Sequence, residues 1–280
     1  MTRIVKSALR VLEVLNLFAE RKKALSQTDI YTHLDMPQSS TNFLLRTMIE
    51  AGYLTYHRDS RLYFPTPEVL HLGKWLEGFG YDFLFGESVI TEVMDEIGDL
   101  TGETVAITSQ NDIFVHFHRI KPRNRPPELQ VLDGSVFPLT YSSYGQVLLS
   151  RQADKQIDRV CRLIRARETN PDRRFDVQKM VYQIIDIRSH DYFYSLNPKL
   201  PHAGSVATIL PITIAGRDVA IGVGGPSARM EKNLDQIIDA MRTTVAKYRH
   251  ELVAVFGNEY AIPGAGTNLK REETDPAITE

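Results

Sequence analysis

Cysteine is nearly absent: Cys161 stands alone in 280 residues. No intrachain disulfide can form and no thiolate-based zinc site can be built, which fits a reducing cytoplasm. No run of about 18 apolar residues occurs, so no membrane-spanning helix is expected. The opening MTRIVKSALR is basic but passes into an amphipathic pattern, not the continuous apolar stretch of a secretion signal. A soluble, cytoplasmic protein without membrane partners is expected. Catalytic signatures are missing too. Gly222, Gly224 and Gly225 end a strand-like run, yet neither a phosphate-loop Gly-Lys nor a dinucleotide fingerprint follows. Ser205 sits in Gly-Ser-Val, not in a Gly-x-Ser-x-Gly elbow. His116 and His118 alternate, which puts them on one face of a strand, but no third ligand stands near them in sequence. No enzyme activity, cofactor or metal is expected, and there are no internal repeats.

Charge is close to balanced, at −2 overall. Its distribution is not. Residues 1–67 carry nine Lys/Arg against six acids, +3, which leaves −5 for the remainder. A basic N-terminal end on an acidic body points that end towards a polyanion.

Hydrophobic residues make up 42% of the chain, enough for two cored domains. In residues 7–20, Ala8, Val11, Leu12, Leu15 and Phe18 recur at helical spacing, with Ser7 as N-cap. Ser26 caps a second helix, with Asp29 in the reciprocal position. A third helix opens at Pro37 and stops at Gly52. Tyr53–Arg58 and Arg61–Thr66 flank Asp59-Ser60 as a β-hairpin with a two-residue turn. EVLHLGKWL reads as a helix, followed by the aromatic, glycine-bearing linker GFGYDFLFG. Beyond residue 87, helices and strands mix: a helix on Val89, Ile90, Val93, Met94 and Ile97; strands TVAITSQ and IFVHFHRI; the solvated loop KPRNRPPE; a short strand LQVL; helices YSSYGQVLLSRQ, IDRVCRLIRAR and VQKMVYQIIDIRS; strands SVATILPITI and VAIGVGG; and a long last helix from Leu234. Neighbouring strands joined by short turns predict an α+β fold with a largely antiparallel sheet. The expected division is 1–67, a winged helix-turn-helix; 68–86, a linker helix and hinge; 87–256, the α+β domain; and 257–280, a disordered tail without periodicity.

Three helices and a hairpin within about 60 residues match a winged helix-turn-helix, whose third helix enters the major groove. On that helix Ser39, Asn42, Phe43 and Arg46 share one face, while Leu44, Leu45 and Met48 turn inwards. Gln38 and Ser40 stand near its start. Asn and Gln suit adenine, Arg suits guanine, and Phe43 suits a thymine methyl. Arg58 and Arg61 flank the hairpin tip, where a wing meets phosphate.

In this order and spacing the chain resembles the IclR family of transcription regulators, from residue 7 to about 255. ALRVLEVLNLFAE resembles the family's first helix, and MPQSSTNFLLRTMIEAGYLTYHRDSRLYFPTPEVLHLG its recognition helix, wing and linker. FPLTYSSYGQVLLS is similar to its effector-domain motif, and SVATILPITIAGRDVAIGVGGPSAR to its paired C-terminal strands. The chain departs from the family where Phe43 replaces an arginine, Gln146 a lysine, Ala207 a cysteine and Asp191 a glycine. An acidic segment has become Phe193-Tyr194-Ser195-Leu196-Asn197.

The resemblance implies a GAF-like effector domain, a homodimer or a tetramer built as a dimer of dimers, a double-stranded DNA operator, and a small-molecule effector of the small or aromatic carboxylate class. Carried over residue by residue, the effector pocket comprises Tyr141, Ser142, Ser143, Tyr144 and Gly145, then Tyr192, Tyr194, Ser195 and Asn197, with Ala207, Thr208 and Gly224 on the strand side. Four tyrosines in that set imply an aromatic ligand larger than a two-carbon acid. The alternative is a metabolite-binding protein or enzyme whose N-terminal domain serves only for oligomerisation. The sign of regulation, repressor or activator, is not written in a protein sequence.

Overall fold

The computed structural model describes residues 5–74, 76, 81, 86–123, 131–198, 200 and 202–256. The tail 257–280, most of the linker GFGYDFLFG and residues 124–130 lie outside these. The chain divides into two compact units, Met1–Glu77 and Gly78–Glu280, a break that falls inside the 68–86 segment.

In the first unit, helix α1 (Lys6–Arg21) buries Val14, Leu17 and Phe18. Its N-cap is Val5, with no side-chain bond, so Ser7 is helical and does not cap. Leu12 also departs from expectation: with Val5 and Leu9 it forms a second apolar stripe that stays exposed. Helix α2 (Gln27–His33) carries the expected capping box. Asp29 N–H donates to Ser26 Oγ at 3.1 Å and Ser26 N–H to Asp29 Oδ2 at 2.8 Å. The Ser26 hydroxyl bond, then the backbone bond, hold the Asp29 carboxyl below its ordinary range. Pro37 caps helix α3 (Gln38–Glu50) from outside instead of opening it. Gly52, at φ +86°, takes the left-handed position after the helix.

Strand β1 (Leu25–Ser26) joins β2 (Leu54–His57) and β3 (Leu62–Pro65) in a three-stranded sheet of order β1-β3-β2. The pair His57↔Leu62 closes the hairpin, so its loop is Arg58–Arg61, four residues and not two. Arg61 adopts φ +55° there. The core gathers Val14, Phe18, Ile30, Leu45, Met48, Leu54 and Tyr63. Helix α4 (Glu68–Lys74) follows.

The second unit is built on a six-stranded antiparallel sheet of order β6-β5-β4-β9-β8-β7. The strands are β4 (Thr104–Asn111), β5 (Phe114–Lys121), β6 (Val136–Pro138), β7 (Phe193–Leu196), β8 (Ala203–Ile214) and β9 (Arg217–Pro226). The short strand expected at 129–132 is not at Val131 and Leu132. The Asp133-Gly134 turn, with Gly134 at φ +81°, delays it to β6. Strand alternation divides the core in two. Val105, Ile107, Val206, Ile221 and Val223 face helices α5 (Val89–Thr101) and α10 (Leu234–Phe256). Ala106, Ala207 and Ala220 face helices α6 (Ser143–Ser150), α7 (Asp154–Arg167) and α8 (Val177–Asp186). Cys161 is buried on α7, and burial pushes its thiol up to about 12.

Polar groups inside this unit are largely paired. Glu103, 3% exposed, receives Arg229 of helix α9 (Ser227–Lys232) in a two-pronged ion pair, one prong at 2.7 Å. Lys121 reaches Asp95 at 2.8 Å, and Arg123 reaches Asp99 at 3.0 Å. A register shift opposite Ile107/Thr108 leaves His118 between ladder pairs on β5. Its Nε2 lies 2.8 Å from Ser109 Oγ, and Tyr81 meets the ring edge-on at 5.3 Å. Burial, then the charges of His116 and Arg217, hold His118 at about 4; burial and Arg217 lower His116. Among the described residues no group of three His, Cys, Asp or Glu could hold a metal, and no helix is long and apolar enough to cross a membrane.

Two stability effects follow. Arg229→Ala leaves a buried carboxylate uncompensated. A fully buried pair broken this way costs ~3–5 kcal/mol; because Arg229 is 39% exposed, about 2–3 kcal/mol is expected, read as a lowered urea midpoint. His118 favours its neutral form in the fold, so the unfolded chain takes up its proton first as pH falls. Stability is intact above about pH 6.5 and declines from there towards pH 4. Urea midpoints measured across that window should fall less steeply for His118→Asn.

Candidate functional site

Two surfaces are equipped to bind something, one in each unit. On α3 the inward stripe Thr41, Leu45 and Met48 is buried, which turns Gln38, Ser39, Asn42, Phe43 and Arg46 outwards. Ser40 is exposed as well. The spacing of Ser39, Phe43 and Arg46, at i, i+4 and i+7, makes one continuous stripe with Phe43 at its centre. Phe43 is 73% exposed, more than any other large hydrophobic side chain described. Arg46 Nε donates to Glu50 Oε1 at 2.9 Å, one turn on, which leaves the outer guanidinium nitrogens unengaged. Arg58 and Arg61 stand exposed at the two ends of the hairpin loop, and among the described residues neither makes an ion pair. The helix can therefore offer hydrogen-bonding groups and one apolar ring to a groove, and the loop two free cations.

The second surface is a cavity of about 70 Å³ between the sheet and the start of α6. Its floor is two rows of small residues set by the strand register. Thr104, Gly224, Ser205 and Ser195 form one row; Ala106, Gly222 and Ala207 form the next. Phe117 and Ile120 of β5, Phe137 of β6, Val131, Asn197 and Leu200 complete the walls. Ser142 caps α6 with its Oγ 3.4 Å from the Gly145 nitrogen, and Ser143 Oγ donates to Ser205 Oγ at 2.8 Å. Tyr144 projects from the first turn across the floor. A Cβ on Gly222 would lie 2.6 Å from its ring, so only glycine leaves room there. Burial alone raises the Tyr144 phenol pKa. Among the described residues its hydroxyl makes no hydrogen bond, and it borders the cavity, so it is available to donate to a ligand acceptor there.

Of the twelve residues carried over for the effector, Ser142, Tyr144, Asn197 and Gly224 line the cavity. Ser143, Ser195 and Ala207 support its floor, and the Ser195 hydroxyl is buried without a partner among the described residues. Tyr141 is buried in the core beneath, Gly145 packs on the Leu139 backbone, and Thr208 donates to the Asp191 carbonyl at 2.6 Å. Tyr192 and Tyr194 lie on the opposite face of the sheet. Arg242 stands 5.6 Å over the Tyr192 ring, and Tyr194 donates to Glu231 at 3.2 Å. Burial holds both phenols at about 12. The tyrosine-rich pocket therefore reduces to one tyrosine, and the inference of a larger ligand drawn from four does not hold. Phe137 and Ser205 open two of the family-like stretches without being singled out there, and Phe117 and Thr104 had no motif to announce them. Small-residue rows on paired strands are the signal that marks such a floor.

Comparison with known proteins bears on both surfaces. Residues 7–58 match the IclR helix-turn-helix domain, and residues 87–249 match the bacterial transcriptional regulator IclR C-terminal domain. The effector domain of an IclR regulator from Acinetobacter sp. ADP1 is 31% identical, covers 57% of this chain and 92% of its own, and superposes with a TM-score of 0.54. An IclR homologue from Microbacterium hydrocarbonoxydans, complexed with 4-hydroxybenzoate, shares the fold at 16% identity, over 89% of this chain and 99% of its own, with a TM-score of 0.66. The Pca regulon regulatory protein of Pseudomonas putida is 24% identical over 151 residues, 54% of this chain; the chain spans half the length of that curated relative. With both its helix-turn-helix and its C-terminal domain matched in order, the chain belongs to the IclR family of bacterial transcriptional regulators.

Proposed function

We propose that the protein is a transcription regulator whose affinity for a DNA operator is set by a small or aromatic carboxylate held in the cavity at the start of α6. The Tyr144 hydroxyl, without a partner among the described residues and set in a mainly apolar cavity, carries this reading. A carboxylate there accepts from Tyr144 and Ser142 and sits at a helix N-terminus, where backbone N–H groups and the dipole favour negative charge. The 4-hydroxybenzoate complex of a relative supports a monocyclic aromatic acid. A cavity of about 150 Å³ holds benzene, so a ring requires these walls to give. That adjustment is what an effector needs in order to prefer one conformation over another.

Residues 1–67 form the DNA-binding domain, 68–86 the linker and 87–256 the effector domain. Gln38, Ser39, Asn42, Phe43 and Arg46 read bases, while Ser40, Arg58 and Arg61 hold phosphate. The working unit is a homodimer, which sets two recognition helices about one DNA turn apart. The exposed apolar side chains Leu9 and Leu12 of α1 and Leu70 and Leu72 of α4 favour such pairing.

Selection of genomic fragments with the purified protein at two salt concentrations tests the regulator reading. A few sites with paired half-sites, retained at the higher salt, are expected; only salt-sensitive, sequence-blind recovery would count against it. On the selected operator, Arg46→Ala should cost about 1–3 kcal/mol and relax one base position, and equal losses on random DNA would contradict its role. Tyr144→Phe should weaken binding of 4-hydroxybenzoate about tenfold in calorimetry without lowering operator affinity in the ligand-free protein. Unchanged ligand affinity would remove Tyr144 from the site.

A further inference from the structure

We propose that Phe43 sets operator specificity by reading a methyl group. Its ring packs on the C5-methyl of a thymine within about one base step of the pair that Arg46 reaches. The inference rests on α3 being the helix that reads DNA.

Phe43 is 73% exposed and takes no part in the apolar core of its unit. Its own carbonyl is tied to the Thr47 hydroxyl at 2.9 Å, but the ring contributes nothing to that bond. An exposed phenyl group stabilises the isolated fold very little, so its apolar surface is available to whatever α3 meets. It sits in the N-terminal half of α3, between Ser39 and Arg46 on the outward stripe, and the N-terminal part of a recognition helix is what meets base edges.

A phenyl ring has no donor or acceptor and cannot read heteroatoms. In the major groove the one apolar group that a base pair presents is the thymine methyl. Contact with it removes apolar surface from water. Against guanine O6/N7 or the cytosine amino group, the same ring would strip water and return no hydrogen bond, which costs free energy. Discrimination therefore has an attractive and a repulsive part, at one position. Arg46 sits one turn along, its Nε occupied by Glu50, and its outer nitrogens are left for guanine. Together the two residues read a short step containing a thymine and a guanine.

The test uses full-length protein and the half-site recovered by selection with and without 4-hydroxybenzoate. Each thymine is replaced in turn by deoxyuridine, which deletes only the methyl, and operator Kd is measured for the wild type, Phe43→Ala and Phe43→Leu. At one thymine per half-site, uridine should weaken wild-type binding about three- to tenfold, the order of one buried methyl. Phe43→Ala should bind both operators equally there, and Phe43→Leu should keep part of the difference. A wild type indifferent to uridine at every thymine, as when a protein partner covers the ring instead, overturns the inference but leaves α3 as the reading helix. So does an undiminished uridine penalty in Phe43→Ala. Recovery of no sequence-specific site overturns both.

Discussion

The effector unit depends on an asymmetry between the two faces of its sheet. One face carries Val105, Ile107, Val206, Ile221 and Val223, bulky enough to seat α5 and α10 at ordinary packing distance. The other offers Ala106, Ala207, Gly222 and Gly224 in register across β4, β9 and β8. Small residues on that side let α6 lie close against the strands, so close that a Cβ on Gly222 would stand 2.6 Å from the Tyr144 ring. The helix is buried along its whole length, although Ser143, Gln146 and Ser150 are polar. It is tolerated there because Ser143 bonds Ser205, and Gln146 bonds both the Thr140 carbonyl and Gln183. Where the small floor extends past the first turn of α6, the cavity remains.

This asymmetry explains which parts of the site were legible in the sequence. Helices and long strands were, because their periodicity is local: α5, α10, β8 and β9 follow the apolar spacing, and Ser26 with Asp29 announces the start of α2. The outward face of α3 was legible for the same reason, since a helix needs no tertiary information to decide which residues share a side. Strand facing is different. In Phe193-Tyr194-Ser195-Leu196 the alternation is plain, but which set points under α6 is decided by pairing with β8. The register turns Phe193 and Ser195 towards the cavity side and sends Tyr194 to Glu231 on the other. Thr104 and Ala106 on β4 meet Gly224 and Gly222 on β9 more than a hundred residues away, a pairing of strands that no local pattern encodes.

Shorter features failed for a related reason. Strand β1 is two residues long and exists only through its pairing with β3. The hairpin loop is four residues because His57 pairs with Leu62, and its His57–Ser60 contact at 3.0 Å replaces the turn chemistry that a two-residue connection would need. Leu12 shares the helical spacing of Ala8, Val11, Leu15 and Phe18, but spacing alone cannot separate two neighbouring apolar stripes; burial does, leaving Leu12 outside with Leu9.

The two binding surfaces solve opposite problems in desolvation. The cavity is mainly apolar, so a hydroxyl such as that of Tyr144 is enough to make an incoming acceptor worth its lost hydration. The α3 face is open and polar, and each of its groups is already satisfied by water. There a hydrogen bond gains little on average, and selectivity comes from what a wrong base leaves unpaired. The charge distribution acts on a third scale. The +3 of residues 1–67 against −5 for the rest orients the N-terminal unit towards a polyanion at distances up to the Debye length, about 8 Å in physiological salt. It carries no sequence information, because phosphate is the same everywhere along the duplex. Long-range charge can bring Arg58 and Arg61 to the backbone, and only the short-range stripe from Ser39 through Phe43 to Arg46 can then tell one site from another.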